Sequence, residues 1–176
     1  MMWLRIWLLC LAAAVQASEP LPTVPALDLS RYQGDWYEIA RLDHWFQRGC
    51  TQSSALYRLQ DDGTVKVTNR CVMEDGKPRE ALGQAVPVPE RPARFKVSFG
   101  FFSRLFTPSD GNYWVIALDD DYRWAMVGHP NRQYLWILSR SPALDDGIRE
   151  RLSTQAQALG FPVGALRWEN AAPNAR

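Results

Sequence analysis

The 176-residue chain is 47% hydrophobic, 22% charged and 12% aromatic, the composition of a single globular domain rather than of a disordered chain. Its formal net charge of +1 lacks the basic excess that phosphate backbones require, so no nucleic-acid partner is expected.

The opening MMWLRIWLLCLAAAVQASEP carries Arg5, an apolar stretch over residues 6–15 and small residues ending at Val15-Gln16-Ala17. This pattern predicts a secretory signal at residues 1–17, cut after Ala17, with an apolar stretch too short to span a bilayer. Its removal leaves 19 basic and 19 acidic side chains. Cys10 follows Leu9, where lipid attachment needs a small residue, so the expectation is an exported periplasmic or envelope protein without a lipid anchor.

Residues 18–27 form a Pro-rich lead-in. Short aromatic or β-branched runs then follow at 36–42, 53–60, 64–71, 81–86, 94–99, 112–118, 122–128 and 133–139, with turn signals between them. The clearest hairpin turns at Gln60-Asp61-Asp62-Gly63. Folding about it sets Cys71 opposite position 53, near Cys50. In an oxidising compartment Cys50 and Cys71 are expected to pair, the alternative being two buried thiols. Pro87, Pro89 and Pro92 lack the donor that a central strand needs and predict a loop; a second loop runs over 100–111. Ser141-Pro142 opens a helical stretch with Leu144, Ile148, Leu152, Ala156 and Leu159 on one stripe, closed by Gly160. Residues 161–168 could add a short strand, and 170–176 read as a frayed tail. The domain is thus 28–169.

Closing eight antiparallel strands into an up-and-down barrel hides both sheet edges and leaves room for one small ligand, with the helix on the outer wall. A β-sandwich satisfies the same pattern.

Gly34-Asp35-Trp36-Tyr37, Leu118-Asp119 with Tyr122, and Arg140 closing Leu135-Trp136-Ile137-Leu138-Ser139-Arg140 resemble the three signatures of the lipocalins. The resemblance covers nearly the whole mature chain and is nearest the bacterial branch, with its plant and apolipoprotein D relatives. It departs at the second signature, where Tyr122 falls three positions after Asp119. Bacterial members are often outer-membrane lipoproteins, but without a usable lipidation cysteine that anchoring does not carry over. Trp36 would plug the closed end of a barrel, and Arg140 would lie on its indole face, worth about 0.5–2 kcal/mol; the other reading of Arg140 is a clamp for an anionic head group.

No metal ligands cluster around His44 and His129, and the sequence calls for no cofactor. Asp119-Asp120-Asp121 lacks the glycine of a calcium loop and reads as a solvated turn. No nucleophile or nucleotide motif is present, so no catalytic residue is assigned. Taking Trp136 and Arg140 as inward puts Tyr134 and Leu138 on the same face. Lipocalin strand positions add Tyr57, Val67, Asn69, Val97, Phe99, Tyr113 and Val127. These side chains either line a ligand cavity or fill a solid core. The Phe-rich segment 99–106 (Phe99, Phe101, Phe102, Phe106) is open to four readings: a membrane-surface contact, a homodimer contact, a lid on the barrel mouth, or burial against the barrel.

The resemblance implies binding or transport of a fatty acid or lysophospholipid. The competing expectations are an isomerase-type enzyme on the same barrel and a filled-barrel envelope interaction or stress protein.

Overall fold

The computed structural model describes residues 19–100, 103 and 107–169. The expected signal peptide and C-terminal tail lie outside the described residues.

A helical turn, α1 (Leu29–Tyr32), leads into β1 (Gly34–Arg41). After a 3-10 helix at Trp45–Gln47 come β2 (Cys50–Leu59), β3 (Val65–Met73), β4 (Pro78–Val88), β5 (Arg91–Ser98), β6 (Tyr113–Leu118), β7 (Trp124–Gly128) and β8 (Leu135–Ser139). Each pairs antiparallel with its sequence neighbour, and β1 pairs with both β2 and β8, which closes an eight-stranded barrel. Closure leaves none of the eight with an edge to aggregate, and a sandwich is thereby set aside. The helix α2 (Asp146–Ala158) packs outside, and a two-residue strand β9 (Arg167–Trp168) extends the sheet beside Ala40 and Arg41.

The sheet carries apolar side chains on both faces. Trp124 and Met126 of β7 and Leu135 and Ile137 of β8 face outward to Leu152, Ala156 and Phe161. Ala125, Val127, Trp136 and Leu138 face the interior. Period-two alternation with both faces covered produces this arrangement. Leu144, Ile148 and Leu159 are the half-buried margin of the helical stripe.

Three boundaries correct the sequence expectations. The prolines at 87–92 form no loop: Pro87 is the last residue but one of β4 and Pro92 the second of β5, and the strands are joined by a turn in which Glu90 has φ +59°. A register shift between Pro87 and Val88 leaves Pro92 without a partner on β4, and Pro87 stands at its margin, opposite Phe95. The helix starts five residues after Ser141, at Asp146, because Asp145 caps it by accepting from the Gly147 and Ile148 amides. The seventh strand begins at Trp124 rather than Tyr122. Asp119 is buried, not solvated, and its carboxylate accepts from the amides of Asp121 and Arg123 and from the Arg123 guanidinium, holding residues 119–123 as a turn. That guanidinium keeps the Asp119 carboxyl below its usual range.

The Gln60–Gly63 turn is as expected, with Gly63 at φ +78° and the Gln60 amide donating to the Thr64 carbonyl. It sets Ser53 opposite Cys71, and Cys50 and Cys71 are joined by a disulfide.

Candidate functional site

The closed end is built around Trp36, which is fully buried. Its Nε1 donates to the Tyr32 carbonyl at 2.8 Å, and the Arg140 guanidinium lies 3.7 Å over its ring. Arg140 also donates to the carbonyls of Asp35, Arg31, Tyr32 and Gln33. Those last three are the carbonyls that α1 leaves unpaired at its C-terminus, so the arginine both stacks and caps. Gly34, at φ +99°, sits where a Cβ would meet Arg140 Nη1 at 3.3 Å. Tyr122 joins the same end: its hydroxyl accepts from the Asp28 amide and its ring carries the Arg31 guanidinium. Arg140 thus spends its donors on backbone carbonyls, which favours the structural reading over an anion clamp.

Above this plug the barrel holds a cavity of about 670 Å³, within the roughly 300–1,000 Å³ of small-molecule sites. The interior is therefore not a solid core. Tyr57, Val67, Asn69, Val97, Phe99, Tyr113, Tyr134 and Trp136 all line it. Val127 does not. It faces the interior between Val115 on β6 and Trp136 on β8, but is fully buried in the packed cluster that includes Trp36 and Ala125, so neighbouring side chains cover it.

Three tyrosines meet inside. The hydroxyls of Tyr32 and Tyr113 are 2.7 Å apart, and Tyr113 donates to Tyr57 at 3.2 Å. Since Tyr113 has one proton, Tyr32 must donate to it, which leaves the Tyr57 proton for a cavity occupant. Burial pushes the Tyr57 hydroxyl up to about 12, and Tyr32 and Tyr113 rise for the same reason. All three remain neutral donors at physiological pH.

Toward the open end the wall turns polar. Glu38 accepts from Arg41 at 2.8 Å and from the Gln47 amide at 2.7 Å. Arg41 also binds Glu169 and the Cys50 carbonyl, and Glu169 accepts from the Ser53 amide. Gln47 accepts in turn from Trp136 Nε1. Burial, reinforced by the Glu169 charge, raises Glu38 to about 7. Arg41 Nε and Ser53 Oγ have no partner. At the mouth the His44 ring centroid lies 3.9 Å from Phe46 and 4.1 Å from Tyr134, and Phe46 approaches Phe99 at 6.0 Å. Burial lowers His44 to about 4, so its imidazole is neutral. Trp45 borders the mouth and is 71% exposed. Of the Phe-rich segment, residues 101, 102 and 104–106 lie outside the described residues; Phe99 is half-buried and lines the cavity.

Sequence reasoning missed Tyr32, Glu38, His44, Phe46 and Ser53. Counting two residues on from Trp36 would have placed Glu38 inside; the connecting segment that carries His44 and Phe46 has no such period.

Comparison with known proteins is consistent with this architecture. A family model described as a lipocalin-like domain matches residues 27–171. "Outer membrane lipoprotein Blc" of Escherichia coli K12 is 42% identical over 162 residues, covering 88% of each chain. "Temperature-induced lipocalin-1" of Arabidopsis thaliana is 33% identical, covering 83% of this chain and 80% of that one. A solved structure of apocrustacyanin C2 superposes with a TM-score of 0.64 at 15% identity, over 83% of this chain and 81% of that one.

Proposed function

The chain belongs to the lipocalin family, and on that footing we propose that it binds and carries one single-chain lipid, a fatty acid or a lysophospholipid, in the bacterial envelope, as a binder rather than an enzyme. The observation that carries this reading is the cavity itself, about 670 Å³ and lined mainly by aromatic and aliphatic side chains. A micromolar dissociation constant needs about 8 kcal/mol. At about 0.8 kcal/mol per buried methylene, that means at least about ten methylenes before ordering costs. Trp136 and Tyr113 lie along the path of such a chain, with its polar end toward the mouth.

Envelope location rests on the resemblance to proteins named outer membrane lipoproteins. Those names speak for a lipid anchor, against the expectation drawn from Leu9-Cys10, which lies outside the described residues. Palmitate labelling of the wild type and of Cys10→Ser decides between them. A membrane-surface contact through residues 99–106 belongs to the same proposal, and replacing Phe101 and Phe102 by Ser should then reduce vesicle flotation without moving the melting temperature.

The direct test is organic extraction of envelope-purified protein followed by lipid mass spectrometry. Single-chain lipids at up to one per protein are expected. Absence of any such lipid, together with refusal of added palmitate by the extracted protein, would overturn the proposal.

A further inference from the structure

Strict alternation along β1 would put Glu38 and Arg41 on opposite faces of the sheet. The register shift between Glu38 and Ala40 brings both to the interior, where they pair. The cluster they form is unbalanced. Two buried carboxylates, Glu38 and Glu169, surround one guanidinium, and among the described residues no other cation lies within 4.0 Å of either acid. With both acids ionised the cluster holds a surplus negative charge in a poorly hydrated wall, a costly state without a partner.

Glu38 borders the cavity, and beside it stands an unanswered polar group. Glu38 and Ser53 are the next residues beyond the Tyr37–Ser54 pair of the β1–β2 ladder. Ser53 is 9% exposed, alternates inward with Ala55 and Tyr57, lines the cavity, and its Oγ has no hydrogen-bond partner.

We propose that Glu38 and Ser53 form a head-group subsite that selects a lipid bearing an ammonium group over one ending in a free carboxylate. The ammonium N–H groups donate to the Glu38 carboxylate and to Ser53 Oγ, and the positive charge cancels the surplus on the Glu38–Arg41–Glu169 cluster. A carboxylate in the same place adds a second uncompensated charge. This inference rests on the reading of the cavity as a lipid site and specifies its ligand.

The other charges around the cavity do not reverse the preference. Arg70 is half-exposed and pairs with Asp35 and Glu80, and Arg79 is exposed at the rim, so both act through water and salt. His44 is neutral above about pH 4, and Tyr57 keeps its proton to about 12. His129 is held below its usual range by burial. Arg140 is engaged beneath Trp36. With Glu38 titrating near 7, preference for ammonium should grow from pH 6 to pH 8. A carboxylate should bind less well over the same interval.

Delipidated full-length protein is titrated with dodecylammonium, dodecanol and dodecanoate at pH 6 and pH 8, following tryptophan fluorescence. At pH 8 the ammonium should bind at least about tenfold tighter than the carboxylate, with the alcohol between and the gap narrower at pH 6. Glu38→Gln should compress the three affinities at both pH values, and Ser53→Ala should weaken the ammonium most, through its charge-assisted bond. Equal or tighter binding of the carboxylate to wild-type protein at pH 8, or a preference that Glu38→Gln leaves intact, overturns the inference while the lipid site stands. Failure of all three probes overturns the lipid-site reading and this inference with it.

Discussion

The two ends of the barrel are made from the same residue types to opposite effect. At the closed end an indole, a guanidinium and a helical turn meet with their polar groups matched: Trp36 Nε1 has its carbonyl, and Arg140 divides its donors among five. At the open end a guanidinium sits between two acids, Ser53 Oγ and Arg41 Nε go without partners, and Trp45 faces solvent. The first arrangement stabilises the barrel; the second leaves polar capacity for something that is not protein. Mutations at the closed end should therefore unfold, and mutations at the open end should alter binding.

Trp36→Ala should break the contrast most severely, since removing a fully buried indole costs about 3–5 kcal/mol, a large part of a domain's stability. Chemical denaturation should show the midpoint falling with the slope unchanged. Arg140→Ala should cost less, and a double-mutant cycle with Trp36→Ala should give a coupling of about 0.5–2 kcal/mol; additivity would refute their contact.

Loss of the Cys50–Cys71 bridge comes next. It closes a sequence separation of 21, for which the chain-entropy estimate is about 3 kcal/mol. Reduction, or Cys50→Ser with Cys71→Ser, should lower the melting temperature, and labelling of native protein should find no free thiol at either position.

The open end should reveal itself through pH. Glu38 titrates near 7 in the fold against 4.5 when unfolded, so the folded state holds the extra proton between those values. Its contribution is fully present below about pH 4.5 and is lost as pH rises through about 7. Glu38→Gln should flatten this decline, so that the variant gains on the wild type between pH 5 and pH 8. His44 acts in the opposite sense: its lowered value near 4 gives stability that is present above about 6.5 and lost as pH falls toward 4. A Glu38→Gln profile parallel to that of the wild type would mean that the acid is not buried with a surplus charge.

What the sequence made legible divides along the same line. The 60–63 turn, the cysteine pairing that follows from it, and the inward face of β8 through Trp136 and Leu138 are consequences of local turn chemistry and period two, and they hold. Trp36 and Arg140 are separated along the chain but were marked by the family signatures. Val127 was misplaced because alternation assigns a face and says nothing of which neighbouring side chains cover it. The Glu38–Arg41 pair was hidden because a residue inserted into the ladder changes the parity on which alternation depends. The prolines at 87 and 92 misled for the same reason, since a shifted register tolerates them.

Trp136→Ala should produce the smallest change in stability, and it bears on the cavity alone: long-chain binding should weaken while the melting temperature moves little. The measurement that bears most directly on the function is a tryptophan-fluorescence titration of delipidated protein with fatty acids from 6 to 18 carbons. The cavity predicts saturable binding at one per chain, negligible for the shortest acids, with affinity rising as methylenes are added until about 670 Å³ is filled. An affinity that ignores chain length, or no saturable signal at any length, would contradict the account.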